Sequence, residues 1–567
     1  MALTDNRPDS SAPEGATPRV GATAVDPIDA VLGTGDHKTI GRLWIGFGCL
    51  MLLAGLAVSA VAAAEHVDLG GFDIVDSQGR YTQLWSLGRE LLFFGGLVPI
   101  LIGLATYVVP LQVGASSLAF PRGAAASFWS WFVSTDLLIV AYLLNGGPAG
   151  GRTDYVVMWT LALSGMLLSL MWAMICIATS VLGTRAQGLS LDRLPVSTWS
   201  FFVFSLSGLF VLPIVVAQLV LAYVDVKYGF LSSRETRGTL LGITDSVTLA
   251  PALYWVGIPI LGIAAETIGV HTGAPLRFRR SVMVAIAAFA ILSFAPESLS
   301  FTSRGRVPDF HSGILVAGLI ASALPVVASL ALAGESLKAG SIRVRTPLMA
   351  GLFSGLLLLL AIVAGILGAI WPIVTFIEAN FDTNVNLDSA FNVNGTSFHD
   401  GLRGTVMGAA LLGCIAGVHH WGHKIWGRSL DDRLGLFGVL AAAGGGLLWG
   451  IGGVVSGFLG QARLPLASSE VKDGVEALNG VSVAGAALMA LAALILLANV
   501  ARTAFGGGSA NEPWQGLTLE WATASPPVAG NFAAAPIVTS ALPIESGIET
   551  LEGTKADTPV EAEGAVV

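Results

Sequence analysis

Charge is scarce in this chain. Only 12% of its 567 residues are Asp, Glu, Lys or Arg, against 54% that are hydrophobic. Soluble domains carry about 25% charged residues, so an ordinary soluble fold is excluded. The net charge is −9 with histidine neutral and sits mostly in loops and tails, which argues against a nucleic-acid partner. Cysteine is scarcer still. Cys49, Cys176 and Cys414 each lie in an apolar stretch without CxxC spacing. Neither a disulfide framework nor a thiolate metal site follows, and packed helical thiols are the plainer reading. No GxSxG, HExxH or GxxxxGK[ST] motif occurs, so the enzyme classes those motifs mark have no signal here. The glycine-rich "GGPAGG" at 146–151 has no strand–helix context.

Apolar runs are abundant, and the mean hydropathy is +0.74. A membrane crossing needs about 20 apolar residues. About twelve such segments are present, near 40–64, 84–111, 126–147, 155–182, 198–224, 246–270, 279–300, 310–334, 347–376, 400–422, 434–461 and 478–504. The expected fold class is therefore an all-α membrane protein. The expected organisation is a disordered N-terminal tail (1–35), a twelve-helix membrane domain (36–505) and a largely disordered C-terminal tail (506–567). The polar N-terminus gives no sign of a cleavable signal peptide.

Loop charge sets the expected orientation. Arg122, Arg185, Arg193, Arg277, Arg279, Arg280, Lys338, Arg343, Arg345, Lys424, Arg428 and Arg433 follow even-numbered segments, whereas Glu65, Asp68, Glu378, Asp382, Glu470 and Asp473 follow odd-numbered ones. The positive-inside rule then puts both termini in the cytoplasm of a multi-pass cell-membrane protein.

Ionisable groups inside apolar segments are costly and are functional candidates. They are Arg89, Glu90, Asp136, Glu266, Glu297 and Arg403. The densest histidine run is "VHHWGHKIWGR", with His419, His420 and His423 inside one helical turn. Helical spacing allows two of them to share a face and makes them a candidate metal site. The competing reading makes His419 and His420, with Trp421 and Trp426, anchors at the membrane interface. His66, His271 and His311 read as loop or helix-end residues.

Four stretches carry a resemblance: "TGDHKTIGRLW", "YTQLWSLGRELLFFGGLVPILIGLATYVVPLQVGASSLAFPRGAAASFW", "GVHHWGHKIWGR" and "NEPWQGLTLEWATASPPVAGNF". Together they resemble subunit I of haem-copper terminal oxidases such as cytochrome c oxidase, over roughly residues 35–540. The resemblance implies a twelve-helix bundle, two haems, a copper ion and six ligating histidines.

Carried over one by one, the ligand positions hold other residues. The helix-2 haem histidine falls on Gly88. The helix-6 copper histidine falls on Ala250, with Pro251 and Tyr254 matching the family pattern. The paired copper histidines fall near Leu299 and Ser300, and the helix-10 pair on Asp400 and Leu402; His399 restores one ligand only with a one-residue slip. Three proton-path positions fall on Ser117, Ala252 and Ser329. Tyr254 keeps the place of the family's tyrosine and reads as a hydrogen-bonded core residue.

The expectation is an oxidase subunit I homologue without haem or copper, acting as a non-catalytic subunit of a membrane redox complex beside subunit II- or III-like chains in the bilayer. Two alternatives stand. One is a working terminal oxidase with unusual ligation, haem and copper retained. The other is a transporter or channel that reuses the emptied pore, with Arg89, Glu90 and Glu266 as its lining. Arg89 is expected to pair with Asp400 or Glu297.

Overall fold

The computed structural model describes residues 33–65, 67, 75, 77–228, 252–303, 308–368, 374, 393, 395–463, 472–506, 514–546 and 549–550, with the side chains of 78, 252, 294–303, 308–316, 319 and 549–550 outside that set. Among the described residues are twelve long helices. We number them α1 (His37–Ala64), α2 (Gln78–Glu90, continuing through Leu91–Leu97 and Val98–Gln112), α3 (Pro121–Leu143), α4 (Thr153–Gly183), α5 (Val196–Tyr228), α6 (Gly257–Thr272), α7 (Arg279–Ser303), α8 (Pro308–Gly334), α9 (Thr346–Gly368), α10 (Phe398–Trp426), α11 (Asp432–Phe458) and α12 (Glu476–Phe505). Eleven spans are long and apolar enough to cross a bilayer; α7, with 25 residues, completes the twelve.

The most apolar window of α2 and that of α10 are wholly buried, so these two helices form the middle of the bundle. The outer helices turn Leu143, Phe210, Leu221, Val284, Leu324 and Leu440 outward, as a lipid-facing surface requires.

Small residues set the central crossing. Gly41, Gly48 and Gly55 recur every seven residues along α1 and meet the backbone of α2. A Cβ on Gly55 would stand 2.8 Å from Leu92 Cα, and one on Gly96 would stand 2.6 Å from Leu52 Cα. Backbones that approach this closely replace the hydrophobic drive that lipid removes. Opposite Gly55 and Gly48, α2 widens into a seven-residue π-helical stretch, Leu91–Leu97. Such stretches shift the faces of a helix relative to each other.

Alternation of twelve helices brings the basic loops to one face, together with the C-terminal segment that follows α12. Trp514–Ser546 packs across that face. Asn531 Nδ2 donates to Ala115 O at 2.8 Å, Lys424 Nζ to Thr523 O at 2.7 Å, and Trp514 Nε1 to His420 O at 3.2 Å. The last turn of α10 ends here on Gly427, which has φ of 71°. Its terminal carbonyls are satisfied across the bundle: Arg42 donates to Ile425 O at 2.6 Å and the Tyr107 hydroxyl to Lys424 O at 2.7 Å.

Candidate functional site

The first cavity lies at the end of the bundle opposite the C-terminal segment, where α1, α2, α10, α11 and α12 meet. It holds about 70 Å³. Its core is an indole surrounded by guanidinium groups. Arg89 lies 4.0 Å from the centroid of the Trp85 ring, Arg463 4.9 Å and Arg403 5.3 Å. The face of an indole attracts cations by about 2 kcal/mol when water is excluded. Asp400 draws two of the cations together. Its Oδ1 lies 3.0 Å from Arg403 Nη1 and 3.3 Å from Arg463 Nε. The sequence had offered Asp400 as a partner for Arg89. Helical spacing brings Asp400 to Arg403, three residues on, and Arg89 lies over Trp85. Arg463 and Trp85 were not candidates from the sequence, because a loop arginine and a helix-start tryptophan carry no spacing signal.

Of the positions to which the resemblance assigns histidines, Asp400 lines this cavity. Gly88 faces α1. A Cβ there would stand 2.7 Å from Ser59 Oγ, 3.1 Å from Ser59 N and 3.3 Å from Gly55 O. The helices are in contact where an imidazole would project. Across the cavity, Asp400 and Arg403 line the wall, whereas Leu402 is buried in the apolar core. His399 stands edge-on to Phe398 at 5.5 Å and is not among the residues that line the cavity. The side chains here do not fit a haem held between two imidazoles. Glycine offers no donor, and Asp400 is engaged by two arginines.

Ala250 lies outside the described residues. Glu297, Leu299 and Ser300 lie on α7, with their side chains outside the described set. Tyr254 is fully buried and donates to Ala361 O at 3.3 Å, the core hydrogen bond expected of it.

Glu90, beside Arg89 in sequence, points elsewhere. Tyr142 and Trp159 donate to its Oε2 at 3.0 and 3.1 Å. Glu266 lines a second cavity at the opposite end of the bundle. Arg89 thus lines the first cavity and Glu266 the second. Asp136 is exposed on the outer surface of α3.

The three histidines of α10 diverge. His419 Nδ1 lies 2.9 Å from Ile415 O, and its Nε2 lies 3.2 Å from Asn499 Nδ2. His420 turns toward α6 and the C-terminal segment. Its ring lies 6.0 Å from that of His271, 5.6 Å from Trp521 and 6.3 Å from Trp514. His423 is 2% exposed. Among the described residues no three His, Cys, Asp or Glu side chains converge as a metal set.

The interfacial reading is corrected as well. His419 and His420 are 4% and 0% exposed and Trp421 is 0% exposed; α12 covers His419 through Asn499, and the C-terminal segment covers His420 and Trp421. His271, read from sequence as a loop or helix-end residue, is 1% exposed and packs on Trp514 at 4.9 Å. Burial under a segment more than ninety residues downstream of His420 leaves no local trace in the sequence.

Residues 39–488 match the family model described as cytochrome c and quinol oxidase polypeptide I. Cytochrome c oxidase subunit 1 of Thermostichus vulcanus is 28% identical over 531 residues, covering 91% of this chain and 92% of the relative. A putative cytochrome c oxidase subunit 1-beta of Streptomyces avermitilis is 29% identical over 543 residues, covering 90% and 91%. A cryo-electron-microscopy structure of a haem-copper terminal oxidase dimer superposes with a TM-score of 0.58 at 15% identity, covering 84% of this chain and 85% of that one; this likeness concerns the fold.

Proposed function

The chain belongs to the cytochrome c and quinol oxidase polypeptide I family, and on that premise we propose that it is a haem-free, copper-free, non-catalytic subunit of a membrane redox complex. It is a multi-pass membrane protein. In this proposal it sits in the cell membrane with both termini in the cytoplasm, beside other subunits that hold the redox centres. Its surface, helix ends and C-terminal segment keep the family scaffold that such neighbours dock against.

One observation carries the reading. At Gly88 the backbones of α1 and α2 are so close that a Cβ meets Ser59 N at 3.1 Å. A lost ligand in an intact pocket leaves room for another donor or a bound water. Here the helices have closed on the position. The opposite wall supports the same reading, since Asp400 and Arg403 are committed to an ion pair and an arginine cannot deprotonate to ligate iron.

The experiment is oxygen consumption by the purified full-length chain, with reduced cytochrome c and with a quinol as donors. The proposal expects a rate no higher than that of buffer with the donor. Donor-dependent oxygen uptake that is sensitive to cyanide would overturn it and favour unusual ligation.

A further inference from the structure

The second cavity, about 230 Å³, lies between the helix bundle and the C-terminal segment. Glu266, Arg279 and Pro195 line it from the bundle, and Leu517 and Leu542 from the segment. Beside it a hydrogen-bonded chain joins two carboxyl groups that belong to different parts of the molecule. Gln112 Nε2, at the end of α2, donates to Glu520 Oε1 at 2.7 Å. Gln112 Oε1 accepts from the Thr198 hydroxyl and, at 3.0 Å, from the Ser197 hydroxyl. The Ser197 oxygen also lies 3.3 Å from Glu266 Oε2. A serine hydroxyl has one proton. With that proton given to Gln112, the contact to Glu266 is a hydrogen bond only if Glu266 supplies the other one.

Glu520 is 0% exposed. Trp421 Nε1 is a further donor, at 3.4 Å on the same Oε1; the Thr518 hydroxyl neighbours the carboxyl group, but its Oε2 makes no hydrogen bond of ordinary geometry. Among the described residues no lysine or arginine forms an ion pair with it. A buried carboxylate without a cation is costly, and the acid form is the cheaper occupant of such a site.

We propose that Glu520 and Glu266 form a proton-dependent latch: while Glu520 is a neutral acid the C-terminal segment Trp514–Ser546 stays docked and the cavity closed, and when Glu520 gives its proton to water the segment lifts and exposes Glu266 and Arg279. The remaining titratable and charged groups nearby are His271 on α6, His420 and Lys424 on α10, and Arg279 at the start of α7. Lys424 holds Thr523 O, and Arg279 is spent on the carbonyls of Leu194 and Asp192. Burial pushes the Glu520 carboxyl above the usual carboxylate range. Docking is then complete below the ordinary carboxylate pKa and is lost as pH rises through the raised value. Protonation of the buried His271 and His420 would loosen the same contact in the opposite direction, as pH falls, so the two causes separate by sign.

The test uses the full-length protein with spin labels at Phe278→Cys and Ser546→Cys, both exposed positions; the three native cysteines are buried. The distance distribution is read by pulsed electron resonance from about pH 5 to about pH 9. The latch predicts one short distance at the acid end and at least a roughly twofold loss of that population at the alkaline end. Glu520→Gln, which keeps the acceptor and cannot ionise, holds the short distance throughout. An unchanged wild-type distance overturns the proposal, and so does a Glu520→Gln protein that opens over the same pH range as wild type.

Discussion

At Gly88 the absence of one side chain decides more than the presence of any other. The sequence shows glycine where the family resemblance assigns a haem ligand, and that alone is compatible with a vacant pocket. The structure adds that Ser59 and Gly55 fill the space. Two substitutions grade the crossing. Gly88→Ala meets the movable Ser59 hydroxyl first, and overpacking of this kind costs about 1–3 kcal/mol. Gly55→Ala meets the backbone of Leu92, which cannot rotate away. Thermal unfolding in detergent is expected to show Gly55→Ala as the less stable of the two; equal stability would mean that the helices separate freely. The Asp400 carboxylate is the other decisive residue. Partly buried ion pairs contribute about 1 kcal/mol, so Asp400→Asn, which strips charge from a site shared by Arg403 and Arg463, is expected to lower the melting temperature modestly. An unaltered melting curve would show that the Asp400 pairs add nothing measurable to stability.

At the scale of elements, the helices were legible because each needs only its own apolar run and the bilayer rule that backbone groups be satisfied within the segment. All twelve expected segments have a helix among the described residues. The C-terminal segment was not legible in the same way. It is held by isolated polar contacts across very long sequence separations, Gln112 to Glu520 and Ala115 to Asn531, and no periodicity records them. Glu520 is the sole charge in "LTLEWATAS". That isolation is the one local hint that it is buried. Histidine density misled for a related reason: His419, His420 and His423 are neighbours in sequence, but the His420 ring packs among Trp421, Trp521, His271 and Trp514. Asn531 gives the docking contact most open to test. It donates to Ala115 O and accepts from Lys38 Nζ at 3.3 Å. Asn531→Ala removes the side-chain donor to Ala115 O at a cost of about 1–3 kcal/mol, whereas Lys38 keeps Asp36 at 3.0 Å. Faster hydrogen exchange across 519–538, with α10 unchanged, is the expected outcome; uniform exchange across the chain would place the anchor elsewhere.

Across the whole molecule, the twelve-helix scaffold of the oxidase family is retained, with a cavity at each end of the bundle among the described residues. The Trp85–arginine cavity lies at one end and the Glu266–Arg279 cavity at the other. Between them the central helices α2 and α10 are buried against apolar neighbours, with Cys414, Leu97 and Phe93 fully buried. Fold and site thus separate. Lipid-exposed hydrophobicity and glycine ladders preserve the bundle without any demand on the ligand positions, which is why the resemblance survives at 27–29% identity with the curated relatives. The account's central claim is that this scaffold holds no redox centre of its own. Its most direct test is the reduced-minus-oxidised absorption spectrum of the purified full-length chain, recorded with iron and copper analysis of the same sample. The account predicts no haem α-band and less than about a tenth of an iron or copper ion per chain. Stoichiometric iron with an α-band that is lost in a variant of this chain would contradict it.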